Sequence, residues 1–300
     1  MNALFDHRQV RRAFSRAAPG YDAAAALQRE IEARLLESLE FHPAKYGDKQ
    51  PPQRVLDVGS GPGRATAAMR RRWPKAQVLS LDLALPMLRQ ARSRDRWQPL
   101  RRGVDRLCAD ARALPLADDS IDVLFSNLCL QWVEDLPAVF AGFRRVLRPG
   151  GLLMVSTFGP DTLHELRSAF AQADATPHVS PFASIALFGD ALMHAGFRDP
   201  VLDRDTSTTH YRDLPALMRE LRTLGATNAL QARRHTLTGK ARFARAAAAY
   251  ASDFGAGQGL PATWETITAM AWAPEHGAPI REGGEEIVRF PASAIPVRRR

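Results

Sequence analysis

Between residues 57 and 63 the chain reads Asp57-Val58-Gly59-Ser60-Gly61-Pro62-Gly63. Glycines this close together let the backbone turn tightly and let a ligand come against the main chain. The loop follows the apolar run RVLDV (54–58) and opens a helical pattern. Asp82 closes the next apolar run, where a carboxylate can accept from both hydroxyls of a ribose. Asp110-Ala111 closes a third, where an acid can accept from an adenine amino group, and Ser126-Asn127 closes a fourth. A dinucleotide fingerprint wants Gly or Ala at the sixth place of GxGxxG, and counted from Gly59 that place holds Arg64. Each Asp taken singly is equally a helix cap or turn residue. The glycine loop, Asp82 and Asp110 in this order set the expectation of one ligand site.

Positioning these groups on one edge requires alternating strands and helices. Strands are expected at 54–58, 76–82, 106–110, 120–127 and 151–158, with helices at 63–72, 85–94 and 135–147. That alternation predicts an α/β fold with a doubly wound, mostly parallel sheet, whose carboxyl edge binds the ligand. LRPGG (147–151) reads as a helix stop followed by a strand start. Further on, helices are expected at 160–173, 182–195, 213–224 and 239–252, and strands near 198–210 and at 263–272 complete the sheet. Upstream, residues 22–40 form an amphipathic helix with Leu27, Ile31, Leu35 and Leu39 as its stripe, and the Pro-rich segment 42–53 is a linker. The expected organisation is a helical cap over 1–50 and a catalytic unit over 51–300, with a helical insertion at 213–250. The final PVRRR is expected to be disordered.

The composition, 45% hydrophobic and 24% charged residues, is that of an ordinary globular chain. Two cysteines, Cys108 and Cys129, provide neither a disulfide framework nor a metal cluster. No stretch reaches the roughly 20 apolar residues of a membrane span, and the N-terminus lacks the apolar core of a signal peptide, so a cytoplasmic location is expected. The net charge of +9 points either to an Arg-rich solvated surface or to an acidic partner. The insertion carries seven Lys/Arg against Asp213 and Glu220.

VLDVGSGPG, LDLALPML, CADARALPL and LRPGGLLMVSTF resemble the motif series of the class I S-adenosylmethionine-dependent methyltransferases, over about a third of the chain. The resemblance implies a Rossmann-like seven-stranded sheet. It implies S-adenosyl-L-methionine as cofactor and S-adenosyl-L-homocysteine as product, held by Asp57, Gly59, Ser60, Gly61, Gly63, Asp82, Leu83, Asp110, Ala111 and Asn127. The flanks are more specific. AFSRAAPGYDAAAALQREIEARLL (13–36), NLCLQWVEDL (127–136), LMRELRTLGATNA (217–229) and GLPATWETITAMAWAP (259–274) resemble the malonyl-acyl-carrier-protein O-methyltransferases of biotin biosynthesis. That family esterifies the free carboxylate of a malonyl thioester on acyl carrier protein.

A carboxylate is already a nucleophile, so catalysis there needs positioning and water exclusion rather than a general base. No catalytic residue is therefore expected in the strict sense; Tyr21, Asn127 and Trp132 are the positioning candidates. Tyr21, Gln28, Arg219 and Arg233 are the expected substrate-binding residues, the arginines because their fork matches a carboxylate. Tyr21 and Trp132 are each also explicable as packing residues, and Phe158 is read as core. The insertion, with Arg144, Arg145 and Arg148, is expected to steer the acidic carrier. The scattered histidines show no ligand spacing.

Other readings remain open on sequence alone. FGPDTLHELRSAF to HVSPFASI (158–185) also resembles a respiratory complex I assembly factor that hydroxylates an arginine. A methyltransferase acting on a quinone or a free acid shares the core motifs. A nucleic-acid-binding role fits the charge, but few aromatics interleave with the basic clusters and no nucleic-acid partner is expected.

Overall fold

A computed structural model describes residues 3–40, 51–95, 104–236, 239–255, 257–275, 280–282 and 285–287. Most of the expected linker and the PVRRR terminus fall outside these residues.

The sheet has seven strands: β1 (Arg54–Val58), β2 (Gln77–Asp82), β3 (Asp105–Cys108), β4 (Ile121–Ser126), β5 (Leu147–Phe158), β6 (Arg198–Tyr211) and β7 (Leu260–Trp272). Their order is β3-β2-β1-β4-β5-β7-β6. β1 to β5 run parallel to one another, and β7 runs antiparallel to β5 and β6. The chain reverses strand order between β1 and β4, the crevice where doubly wound sheets bind ligands. β5 shows why the sheet is central: Leu152 and Met154 pack into the core on one face, Leu153 and Val155 into the core on the other. Alternate residues of a strand face opposite ways, so a strand covered on both sides is apolar throughout.

The covering helices are α1 (His7–Ala17), α2 (Tyr21–Ala24), α3 (Ala26–Glu37), α4 (Arg64–Arg72), α5 (Leu85–Asp95), α6 (Leu136–Val146), α7 (His164–Ala171), α8 (Ile185–His194), α9 (Leu214–Thr223) and α10 (Lys240–Phe254). Side-chain caps begin several of them: Asp6 accepts from Gln9 N, Asp135 from Ala138 N and Asp213 from Ala216 N. β8 (Ile280–Glu282) and β9 (Glu285–Ile287) pair as a separate antiparallel hairpin.

β3, expected over 106–110, ends at Cys108, so Asp110 lies two residues beyond the strand rather than at its end. The structure differs from the sequence expectation in three further places. The helix expected at 22–40 breaks at Ala25, whose backbone leaves the helical region (φ −81, ψ 46). Its stripe then serves two cores, with Leu27 and Ile31 in one and Leu35 and Leu39 in the other. β5 begins at Leu147 rather than 151, because Leu147 already pairs with Ile121 and Gly150 N–H donates to Ala273 O (3.0 Å). And α1 is a separate helix of the expected 1–50 cap that the sequence pattern does not place: its Val10, Ala13 and Ala17 are buried at helical spacing behind Asp6, a face that Arg8, Arg11, Arg12 and Arg16 obscure.

Candidate functional site

The glycine loop is built by three left-handed residues, Gly59 (φ 70), Gly61 (φ 51) and Gly63 (φ 80). The N–H groups of Gly59 and Ser60 both donate to Leu81 O, at 2.8 and 3.0 Å, which ties the loop to β2. A Cβ on Gly59 would lie 2.6 Å from Cys129 Cβ, whereas one on Gly61 would meet nothing within 4 Å. The bend therefore packs against Cys129 on one side and opens a bare backbone edge on the other. Gly59→Ala is expected to cost at least about 2 kcal/mol, from positive φ and the clash together. A lowered Tm, with cofactor affinity lost as well, checks it by calorimetry.

Asp82 stands at the tip of β2. Its Oδ2 accepts from Gly61 N (2.8 Å) and its Oδ1 from Ala84 N (2.7 Å). Burial pushes its carboxyl up to about 6 despite those two bonds. Asp57 lies behind the loop and accepts from Thr66 Oγ1. Burial pushes it up to about 7, with Glu32 and Asp82 adding repulsion. Glu32 on α3, 3.6 Å from Arg64, is likewise raised by burial. Two buried acids and the half-buried Glu32 thus converge on one bend, a field that favours a cation.

Gly59, Gly61, Asp82, Leu83, Asp110, Ala111, Asn127, Tyr21 and Trp132 line a single cavity of about 100 Å³. Its roof is α1, through His7, Val10, Arg11 and Phe14. Asp57, Ser60 and Gly63 do not line it; they shape the loop from behind. Asp110 is held in a fork by Arg112, Nε to Oδ1 at 3.0 Å and Nη2 to Oδ2 at 2.7 Å. Burial would raise its carboxyl, but the bonds from Arg112 outweigh it and hold it low. Asn127 has both amide ends engaged: Nδ2 donates to Gln28 O (3.2 Å) and Oδ1 accepts from Ser156 Oγ (2.7 Å).

A second cavity of about 1100 Å³ adjoins the first. Phe14, Tyr21, Leu128 and Trp132 line both, so they form the partition. Trp132 is fixed there by an edge-on contact with Phe14, 5.4 Å between ring centroids at 86°. Burial, then the charge of Asp82, pushes the Tyr21 phenol up, so it stays protonated. The larger cavity has an aromatic wall including Phe158, Phe170, Phe182 and Trp264, and among the described residues its charged lining is Arg219, Arg222, Arg233, Arg234 and Lys240, of which Arg233 and Arg234 pair with Asp6 and Asp174.

Several expectations need correcting at this point. Arg233 does not offer a free fork: Nη2 pairs with Asp6 Oδ2 (2.8 Å) and Nη1 donates to Leu230 O (2.9 Å). Arg144, Arg145 and Arg148 are likewise engaged within the fold, with Leu147 O, Asp118 and Asp122 respectively. Phe158 is buried, yet its ring is cavity wall as well as core. His178, expected to be unremarkable, lines the larger cavity, stacks on Phe170 at 4.1 Å and lies 2.9 Å from Asp174 Oδ1. Nothing in its local sequence signals this, since Phe170 and Asp174 become neighbours only through the turn after α7.

Comparison with known proteins gives this geometry a lineage. Residues 56–155 match the family described as "Methyltransferase domain". The chain is 60% identical over 301 aligned residues to the malonyl-[acyl-carrier protein] O-methyltransferase of Xylella fastidiosa, covering 100% of this chain and 99% of that protein. The enzyme of the same name from Gallionella capsiferriformans is 45% identical, covering 90% and 92%. The chain belongs to the malonyl-[acyl-carrier protein] O-methyltransferase family. In fold it is similar to the YcgJ protein of Bacillus subtilis, with a TM-score of 0.56 at 15% identity over 81% of this chain and 99% of that one.

With the family comes the cofactor, S-adenosylmethionine, and the chemistry of the residues around the smaller cavity suits it. Each oxygen of Asp82 keeps a lone pair beyond its backbone bond. The loop edge at Gly61 leaves room that a side chain would fill. The buried acids of this methyltransferase suit a sulfonium cation. Among the described residues, no helix is long and apolar enough to cross a membrane.

Proposed function

We propose that this methyltransferase esterifies the free carboxylate of a malonyl group carried on acyl carrier protein, the step that would prime pimelate synthesis for biotin, in the cytoplasm. One observation carries the reading: the cavity that holds Asp82 and the open glycine loop adjoins, across a partition of Phe14, Tyr21, Leu128 and Trp132, a larger cavity whose charged lining among the described residues is cationic. The first suits the methyl donor and the basic one an anionic acceptor.

S-adenosylmethionine supplies, when bound, an electrophilic methyl group on a sulfonium sulfur. The chain's part is to hold and to align. Asp82 would accept from the ribose hydroxyls and Asp110-Ala111 would face the adenine. The Gly59–Gly63 loop, with Asp57 and Ser60 behind it, would seat the methionine part, and Leu83 would pack on the sugar side. Tyr21 and Trp132 would aim the acceptor oxygen across the partition. Asn127, its own amide engaged, would act through Gln28, whose backbone it holds. A carboxylate loses no proton in the transfer, so no side chain has to serve as base; exclusion of water by α1 and the partition does the rest. Arg219, exposed on α9 and, like Arg222, without an ion pair to another described residue, would meet the acceptor carboxylate or its carrier. In this reading residues 1–50 are the cap, and 213–250 the part of the 51–300 catalytic unit that meets the carrier.

Incubation with S-adenosylmethionine and malonyl-loaded acyl carrier protein tests this. Mass spectrometry should show the carrier gaining one methyl, removable by mild ester hydrolysis. Methylation of a free diacid in preference to the carrier, or an oxygen gained on a protein arginine, would overturn the proposal.

A further inference from the structure

The N-terminal strap and the insertion are stitched together where the two cavities meet. Phe5 and Leu230 form an isolated antiparallel bridge: Asp6 N–H donates to Ala229 O (2.8 Å) and Gln231 N–H to Leu4 O (2.9 Å). Asp6 then divides its carboxylate. Oδ1 caps α1 through Gln9 N (3.0 Å), and Oδ2 takes Arg233 Nη2 at 2.8 Å. The same carboxylate therefore starts the helix that roofs the smaller cavity and grips an arginine lining the larger one. Beneath it Phe5, Val10, Ala229 and Leu230 form one buried cluster, with Phe14, Leu83 and Trp132 packed against it. Further along, α1 lies flush on the insertion: a Cβ at Gly225 would come within 3.1 Å of Ala17 Cβ and the Phe14 ring.

Two consequences follow from this arrangement. α1 lies across the cavity that holds Asp82 and the glycine loop, through His7, Val10, Arg11 and Phe14. A ligand held between α1 and the loop leaves faster when α1 is free to move away. And the roof is fastened to residues 229–233, whose neighbours Thr227, Asn228 and Arg234 line the acceptor cavity. A ligand touching those residues also restrains the fastening.

We propose that the Asp6–Arg233 pair is a latch: it holds α1 over the cofactor, and an acidic carrier bound at the insertion keeps it shut, so that S-adenosylhomocysteine leaves only after the carrier does. Asp6 and Arg233 are positioning residues in this account, neither touching the reacting atoms. Binding is then ordered, cofactor first and carrier second. Coupling of this kind is reciprocal, so bound cofactor also tightens the carrier site. The inference rests on the proposed function only for the identity of the carrier; the latch itself concerns the cofactor alone.

The enzyme is loaded with isotope-labelled S-adenosylhomocysteine and chased with unlabelled ligand, with and without saturating malonyl-acyl carrier protein. Asp6→Ser keeps a helix-capping oxygen but removes the charge that grips Arg233. Release from this variant should be about tenfold faster without carrier, the loss expected from one charge-assisted hydrogen bond. In the wild type the carrier should slow release about tenfold, and the variant should lose that response. Arg233→Met should behave as Asp6→Ser does and Arg233→Lys should restore part of the retention, which separates a latch from damage to the N-terminal helix. Unchanged release in both loss variants overturns the latch. Faster release with no carrier effect in the wild type overturns the coupling. Failure of the wild type to bind S-adenosylhomocysteine overturns the cofactor assignment and the latch with it.

Discussion

Asp82→Asn should weaken S-adenosylmethionine binding at least about 100-fold at neutral pH, measured by calorimetry, while the protein stays folded. An amide of the same shape offers one acceptor where the carboxylate offers two. It must also replace a charged acceptor that already anchors Gly61 N and Ala84 N. Losing the charge on hydrogen bonds of this type costs on the order of 3 kcal/mol, which corresponds to that factor. The pH dependence gives an independent check. Burial raises the Asp82 carboxyl from the ordinary carboxylate range to about 6. Ribose hydroxyls bond best to its ionised form, so binding lowers that value. Affinity should be level above pH 7 and fall about tenfold per unit below pH 6. The folding contribution has the opposite sign: the folded protein holds this proton more tightly than the unfolded chain, so burying the ionised group costs stability above pH 6, a cost relieved as pH falls toward 4. Asp82→Asn should abolish the step in affinity. Equal affinity in wild type and variant, or an unaltered step, would show that the ribose is held elsewhere.

How much of this was legible depended on how local each signal was. β1, β4 and β5 are buried on both faces and read as apolar runs. Asp82 was found because its meaning comes from standing at a strand tip after a glycine loop, all within one short stretch of sequence. α1 was missed because its buried face is small, Val10, Ala13 and Ala17, while its arginines dominate the segment. Arg233 was misread for a different reason: its partner Asp6 is 227 residues away, and nothing near Arg233 announces that its charge is taken. The acceptor wall had the same difficulty. Phe170 and His178, Met218 and Arg222, Lys240 and Phe243, and Trp264 come from four separate segments and meet only in the folded chain. The resemblance in the flanks pointed at the region, but geometry was needed to separate engaged cations from free ones.

That separation makes Arg219 and Arg222 the informative pair to reverse. Both are exposed on α9 and line the basic cavity, and neither forms an ion pair with another described residue. The helix itself is held by Leu214, Leu217 and Leu221 and capped by Asp213, so replacing two exposed arginines by glutamate leaves its anchoring intact. Reversal changes the local charge by four units where an acidic carrier would approach. In the double variant Arg219→Glu/Arg222→Glu, kcat/KM for malonyl-acyl carrier protein should fall about 100-fold at low ionic strength, within the range that steering accounts for. The deficit should shrink as salt rises, because exposed charges are screened over about 8–10 Å at physiological strength. Cofactor affinity should not change, since Asp82 and the glycine loop lie across the partition. A malonyl thioester of N-acetylcysteamine, which keeps the acceptor carboxylate but has no carrier, divides the effect further. If it loses as much as the carrier does, Arg219 or Arg222 grips the carboxylate itself. If it loses little, the two arginines meet the carrier's surface and the carboxylate is held deeper, toward Tyr21 and His178. A kcat/KM for the carrier that is unmoved by both reversal and salt would mean that the basic lining plays no part in recognition, and the charge argument for this cavity would fall.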